Sequence, residues 1–479
     1  MYFGQILACV EFFRLFYRKI KKYSLTDRFT FIPICCILKS RSGFPQLIGA
    51  KVNVSGANLP LTQSNLSINK KQGDFAMNCE SIGRTIAKLR KKHGMTQQAL
   101  AERLDVTDKA VSRWENGLGY PDITIFPRLA DLFGVSIDYL MLGEKRGIAI
   151  GGNMLVDIVK SITAYPEIGM LATIDDISYA VGGCAANTAI DLATIDPSLS
   201  VEVFGKLGTD ENGRFIVSEL QQRGINVSKI SFSREEPTSF SDVMSVPCGE
   251  RTFFHQRGAN AQFSPADIDI PSLNCALFHI GYVLLLDSFD AEDAEYGTVM
   301  ARFLHNLQRA GIKTSIDMVS DSNADYAKKM LPVLKYCDYL IINELECCRI
   351  WGLNAYGADG RIDCDTVRRA MELCIEAGVS DRVIIHSKRI SFALDRAGSF
   401  TAVPSLDIPK NEIKGSVGAG DAFCAGCLYG IHNGYTDRQL LEFASAAAAC
   451  NLFAANSVDG MRSKAEILKI TEKYRRLTV

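Results

Sequence analysis

From residue 147 onward, short apolar runs alternate with stretches patterned for helices, and this alternation restricts the chain to very few folds. The runs Ile148 to Gly151, Val201 to Phe204, Ala276 to Ile280, Thr314 to Met318, Tyr339 to Ile342 and Arg382 to Ile385 have the length and apolar content of strands. Such strands, separated by helices, imply a mostly parallel sheet with helices on both faces. Met170 to Tyr179 and Thr238 to His255 alternate polar and apolar residues instead, as strands with one wet face do. At 479 residues and 47% apolar content, the chain can bury more than one core.

Within this frame, Lys414-Gly415-Ser416-Val417-Gly418-Ala419-Gly420-Asp421-Ala422-Phe423 sets an acid directly behind a glycine turn. Gly418 and Gly420 let successive amide N–H groups point one way, and the apolar run Ala422 to Ile431 reads as a helix beginning at that turn. A helix start is an anion site, because its free N–H groups and the positive end of its dipole favour phosphate oxygens. Asp421 beside such a phosphate could accept the proton of an attacking hydroxyl. A tight strand-to-helix turn with an acidic first residue is the plainer alternative. Gly182 and Gly183 leave room for a polyol, Asn187 offers a donor and an acceptor, and Asp157 is a pure acceptor. Asn343 and Glu346 close the apolar strand Tyr339 to Ile342, where open α/β sheets bind ligands. No G-x-x-x-x-G-K-[ST] occurs, so the chain has no P-loop.

Residues Gly415 to Phe423 resemble the D-T-x-G-A-G-D signature of the ribokinase-like, or PfkB, carbohydrate kinases. Other pieces follow in that family's order. Gly151 to Asp157 is similar to its opening strand with a sugar-binding aspartate, and Val181 to Asn187 to its G-G-x-x-x-N element. Phe204 to Gly213 resembles its G-x-x-G-x-D-x-x-G segment, Gly249 to His255 with Gly258 to Ala261 a fructokinase-like stretch, and Asn343 to Glu346 its N-x-x-E motif. The resemblance covers roughly residues 147 to 475 and implies a ribokinase-like α/β fold with a small β lid over the sugar.

It also implies roles. Asp421 becomes the base, and the amides of Gly418, Ala419 and Gly420 neutralise developing charge. Asp157, Gly182, Gly183 and Asn187 hold the sugar, with Arg257 adding a contact to a hydroxyl or carboxylate. ATP is the implied phosphoryl donor, and Asn343 and Glu346 organise Mg²⁺ through water. The implied substrate is a furanose or ketose such as fructose, or a keto-sugar acid. Two departures stand out. Gly415 replaces the first aspartate of the signature, a residue associated with a monovalent cation, so potassium activation is not implied. Val383 to Ser391 takes the place of V-T-x-G-x-x-G, with Lys388 and Ser391 where the glycines belong. Lys388 either reaches a nucleotide phosphate or is a solvated loop charge.

Upstream, Ser81 to Arg146 reads as five short helices, Ile82 to Lys92, Thr96 to Leu104, Thr107 to Asn116, Ile123 to Phe133 and Ile137 to Leu142, punctuated by Gly94, Gly117 and Gly134. Thr96 to Glu115 resembles the helix-turn-helix of the Xre/Cro DNA-binding regulators. In that fold the second helix enters the major groove. Thr107, Asp108, Lys109, Ser112 and Arg113 are then candidates to face bases, and Gln97 with Lys88, Arg90, Lys91 and Lys92 candidates for phosphates.

The expected domains are 1–76, an upstream extension that is disordered or not native, 77–146, the DNA-binding head, and 147–479, the kinase. Met1 to Tyr23 mixes aromatics with charges and shows neither a spanning segment nor a secretory n-region, and Lys51 to Gln72 is polar like a linker. Met77 reads as the true start of synthesis. A net charge of −1 confines DNA contact to a local patch, and fifteen cysteines without a regular framework fit a reducing, cytoplasmic setting. Cys424-x-x-Cys427 reads as core packing, and Cys184 as a thiol open to alkylation. The expected partners are a sugar, a double-stranded operator and a second copy of the chain, with no membrane. The rival reading is a transcription regulator whose kinase fold is an inactive sugar sensor.

Overall fold

The computed structural model describes residues 79–135, 137–142, 147–246, 251–320 and 325–478. The readings for residues 1–76 and for Met77 lie outside them.

The helical segment follows its sequence pattern closely. Helices α1 (Cys79–Lys92), α2 (Gln97–Leu104), α3 (Asp108–Glu115), α4 (Ile125–Phe133) and α5 (Ile137–Leu142) enclose a core of Ile82, Ile86, Leu100, Leu104, Val111, Trp114, Leu129 and Phe133. Thr96 and Thr107 cap α2 and α3, their hydroxyls accepting from the amides of Ala99 and Ala110 at 3.1 Å. A side chain at Gly83 would begin 2.0 Å from the carbonyl oxygen of Trp114, so this glycine sets how closely α1 and α3 cross.

From residue 147 the chain forms two large sheets and a two-stranded antiparallel ribbon, β9 (Glu292–Asp293) with β10 (Gly297–Thr298). The larger has nine strands in the order β15-β14-β13-β12-β11-β8-β1-β4-β5. Strands β1 (Ile148–Gly152), β4 (Val201–Gly208), β5 (Ile230–Ser233), β8 (Leu277–Val283), β11 (Lys313–Met318), β12 (Tyr339–Asn343) and β13 (Arg382–His386) run parallel. Antiparallel β14 (Ile390–Asp395) and β15 (Phe400–Pro404) extend one edge. The smaller sheet, in order β3-β2-β6-β7, is built from β2 (Leu155–Ile162), β3 (Ile174–Gly182), β6 (Phe240–Ser245) and β7 (Arg251–Gln256).

Two hydrophobic clusters occupy the faces of the large sheet. One joins Ile148, Ile150 and Val203 to α6 (Cys184–Ile195), α13 (Ala419–His432) and α14 (Asp437–Asn451). The other joins Phe278, Ile280 and Ile342 to α9 (Val299–Arg309), α10 (Tyr326–Leu334) and α12 (Cys364–Ala377). The parallel strands are buried on both sides, which is why they read as unbroken apolar runs.

One expected strand is divided. Gly151 to Asp157 is not a single element: β1 stops at Gly152, whose φ of 143° turns the chain, and Asp157 belongs to β2 in the small sheet.

Candidate active site

A cavity of about 710 Å³ opens where the parallel strands end. Tyr282 of β8, Asp317 of β11, Asn343 of β12 and His386 of β13 all line it, each at the carboxyl end of its strand. The small sheet supplies Asp157, Ser241, Phe253 and His255. Gly183, Asn187, Gly418, Gly420 and Asp421 complete the wall opposite.

Gly418 is the N-cap of α13, with φ 78°, and a side chain there would begin 2.4 Å from the carbonyl oxygen of Ser457. Only glycine satisfies both constraints. Ala419 N makes a long 3.4 Å bond to Ser416 O, and Ala419 does not line the cavity. The amides of Gly420 and Asp421 have no partner among the described residues, so the helix start presents free donors to the cavity.

Asp421, 4% exposed, is held on both oxygens: Asn187 Nδ2 donates to Oδ2 at 2.8 Å and Tyr282 Oη to Oδ1 at 2.8 Å. Burial pushes its carboxyl up, and these two donors pull it back. Asn187 Oδ1 in turn accepts from Ser457 Oγ at 3.2 Å. Asn187 thus orients the base while lining the cavity, and its amide has a second N–H and a second lone pair beyond these two bonds.

Asp157 projects into the cavity from β2, pushed up to about 6 by burial and then by Asp421. Gly182 lies behind it, where a side chain would begin 2.4 Å from Asp157 Oδ2. Gly182 therefore makes room for the carboxylate and does not itself line the cavity.

Asn343 and Glu346 form a reciprocal cap at the start of α11 (Glu344–Ile350): Glu346 N donates to Asn343 Oδ1 at 2.8 Å and Asn343 N to Glu346 Oε2 at 3.0 Å. Ser320 Oγ donates to Glu346 Oε1 at 2.7 Å. Both side chains still line the cavity, beside Asp317 and Ser320. Burial raises Glu346 to about 7, and Asp317 is held well above the carboxylate range by burial, Glu346 and Asp421. Among the described residues the lining holds four carboxylates, Asp157, Asp317, Glu346 and Asp421, and no lysine or arginine. This all-oxygen set fits a hard divalent cation, which would supply the missing positive charge.

Two more of the candidate site residues lie outside the cavity lining. Arg257 pairs with Asp287 at 2.5 Å, its side chain 40% exposed, and lies outside the cavity. Lys388 sits on an exposed turn after β13, fastened by Ser387 Oγ to Ile390 O, and lies outside the lining as well. The inner position at that strand end belongs to His386, which lies against Gly420 and Phe423 and is lowered to about 4 by burial, hence uncharged. A side chain at Gly415 would begin 2.8 Å from Ala454 O and 3.1 Å from Ala455 O, so an aspartate has no room there. Cys184 is fully buried and its thiol is pushed far up, which removes the expectation of ready alkylation. Tyr282, Asp317, Ser320 and His386 went unread because they belong to no glycine-marked motif; their one signal was position at a strand's carboxyl end.

In the helical segment, Thr107, Asp108, Lys109 and Arg113 are exposed along α3, and Ser112 is half-buried. Gln97 Nε2 donates to Glu115 at 2.7 Å, and Arg90 makes a two-point bond to the same carboxylate at 2.6 and 2.9 Å. Arg90 is thus a half-buried structural cation, not a phosphate contact, and Gln97 is tied to the same carboxylate.

A parallel sheet with an acid behind free helix-start amides, beneath a small second sheet, defines a small-molecule phosphotransferase. The model of the pfkB family carbohydrate kinases matches residues 148–463, and that of the helix-turn-helix matches 86–140. Fructokinase-1 of Oryza sativa subsp. japonica is 25% identical over 347 residues, covering 69% of this chain and 99% of its own. A 5-dehydro-2-deoxygluconokinase of Shouchella clausii is 24% identical over 306 residues, covering 61% and 86%. The structure of Arabidopsis thaliana ribokinase complexed with ribose and ATP superposes with a TM-score of 0.56 at 21% identity, covering 68% of this chain and 99% of that one. Fructokinase with bound ATP from Xylella fastidiosa gives 0.55 at 18%, covering 69% and 99%. The chain belongs to the pfkB family of carbohydrate kinases and carries an N-terminal helix-turn-helix domain.

Proposed function

We propose that this kinase transfers the γ-phosphoryl of ATP to a hydroxyl of a fructose-like furanose or ketose, or of a keto-sugar acid, in the cytoplasm. The observation that carries this reading is Asp421, buried and held from both sides next to the unpaired amides of Gly420 and its own residue. The sugar is held against Asp157 and Gly183 under the small sheet. Asp421 takes the proton of the attacking hydroxyl, the new O–P bond forms, and ADP leaves with the electrons of the broken bond. Free amides at the start of α13 meet the charge that grows on the phosphoryl oxygens. Mg²⁺, when bound, neutralises phosphate charge, and Asn343, Glu346 and Asp317 are the residues that would hold it, through water. The crowding at Gly415, which leaves no room for an aspartate, favours a site without a monovalent cation.

The helix-turn-helix reads a double-stranded operator with the exposed face of α3, from Thr107 to Arg113. The outward side of the small sheet, with Tyr179 60% and Phe254 58% exposed, supports a homodimer, which would present paired heads to an operator. Sugar closing the sheet over the cavity would then alter the spacing of those heads.

ADP release across a sugar panel tests the kinase. One sugar turned over with ATP supports it. Sugar binding without ADP release from any of them leaves the rival, an inactive sensor that regulates transcription.

A further inference from the structure

Ser457, in the loop after α14, lies outside the lining of the phosphoryl cavity, yet hydrogen bonds connect it to the base. Its hydroxyl has two acceptors, Asn187 Oδ1 at 3.2 Å and Val181 O at 3.1 Å, and Asn187 Nδ2 donates to Asp421 Oδ2 at 2.8 Å. Ser457, Asn187 and Asp421 are all buried. At such burial the protein sets the direction of each bond, and each direction decides the next.

A primary amide has two ends that a half-turn exchanges. With Nδ2 toward Asp421, Asn187 donates to the carboxylate; with Oδ1 there, it would set a second acceptor against the charged form. A hydroxyl that donates to Oδ1 from the far side selects the first arrangement. It also polarises the amide, which strengthens the N–H bond to Asp421. The hydroxyl is itself held in place. The carbonyl oxygen of Ser457 lies 2.4 Å from where a side chain on Gly418 would begin, so the loop backbone packs against the N-cap of α13. Two residues on, Asp459 pairs with Arg223 at 2.8 Å and accepts from Asn456 Nδ2 at 2.8 Å, which fastens the loop.

We propose that Ser457 is a positioning residue: through Asn187 it keeps an amide N–H on Asp421 and so favours the charged, proton-accepting form of the base. The inference rests on the reading of Asp421 as that base. Alanine at 457 strips the donor from Oδ1, the amide loses its bias, and the carboxyl of Asp421 moves up. Asp157, Cys184, Asp191, Tyr282, Asp317 and Cys424 also act on Asp421, from β2, α6, β8, β11 and α13, and the substitution leaves all of them in place.

Two readouts test it. In the full chain labelled with ¹⁵N-asparagine, the side-chain amide signal of Asn187 is the one that Asn187→Ala lacks, and it should shift with pH as Asp421 titrates, a shift that Asp421→Asn removes. Ser457→Ala should raise the midpoint by about half a unit to one unit, the worth of one neutral hydrogen bond. With ATP and a sugar that is turned over, the acid limb of kcat/KM should rise equally, a loss of about three- to tenfold on the limb, while the plateau above it stays at the wild-type level. In an Asn187→Ala background, Ser457→Ala should add no such shift. If Ser457→Ala fails to melt cooperatively, Ser457→Cys, whose S–H is a weak donor, is read in the same way. A midpoint that stays put in the folded variant, a plateau that falls with an unmoved limb, or an equal shift in the Asn187→Ala background overturns the positioning role. A raised midpoint in a chain that phosphorylates no sugar supports the link from Ser457 to Asp421 and defeats the kinase reading alone.

Discussion

Tyr282 Oη donates a 2.8 Å hydrogen bond to Asp421 Oδ1 from a residue 139 positions away in the chain. The bond joins the end of β8 to the start of α13 and gives the base a donor that only the charged form fully uses. Tyr282→Phe removes it. A hydrogen bond to a charged group is worth about 1.5–3 kcal/mol, and one pKa unit is about 1.4 kcal/mol, so the acid limb of kcat/KM should move up by about one unit or more. The pH profile of the variant checks this, and an unmoved limb would mean that Tyr282 is mere packing.

Asp421→Asn keeps the shape of the side chain and removes its basicity. ADP release should fall by about 100- to 10,000-fold, while sugar affinity measured by calorimetry stays within a few-fold of wild type. Near-normal turnover would take the role of base away from Asp421.

Asp157 and Glu346 tie stability to pH. Their folded values, about 6 and about 7, lie above the ordinary 3.8 and 4.5. A carboxyl raised on folding contributes fully below its unfolded value and loses that contribution as pH climbs through its folded one. The cation-free chain should therefore lose stability between about pH 4 and about pH 7. Mg²⁺ should raise Tm more at about pH 8 than at about pH 5, and Glu346→Gln should shrink the difference. Thermal melts in a pH and Mg²⁺ grid decide it; equal Mg²⁺ shifts at both ends would contradict the assignment.

Glu115 and Lys109 separate stability from recognition in the DNA-binding head. Glu115→Ala leaves Arg90, whose side chain is 11% exposed, without its charged partner, at a cost of about 1.5–3 kcal/mol. Denaturant melts followed at Trp114, in a Trp351→Phe background, should show that loss. Lys109→Ala should leave the melt unchanged and weaken binding to the selected operator, with a salt slope lower by about one. Full operator affinity in Lys109→Ala would move the interface off α3.

Much of this molecule is legible in its sequence, for identifiable reasons. Parallel strands such as Tyr339–Asn343 are buried on both faces and so read as plain apolar runs, and Gly418 announces its turn because nothing larger fits beneath Ser457. The edge strands β14 and β15 were missed because their order comes from pairing with β13, which no local pattern records. Arg257 was misplaced for a related reason: its motif fixes its position in the chain, while its direction is decided by Asp287, thirty residues on. Tyr282 and His386 reach the site through strand register alone.

A cavity that holds, among the described residues, four acids and no lysine or arginine also treats substrate and product differently. A neutral sugar enters it without electrostatic penalty. Once phosphorylated, and with nucleotide and metal departed, the same molecule is an anion beside Asp157 and Glu346, whose raised values, about 6 and about 7, give them charge as pH climbs, and that growing charge drives it out. The enzyme needs no moving part to tell the two apart, and accumulation of sugar phosphate should do little to stall it.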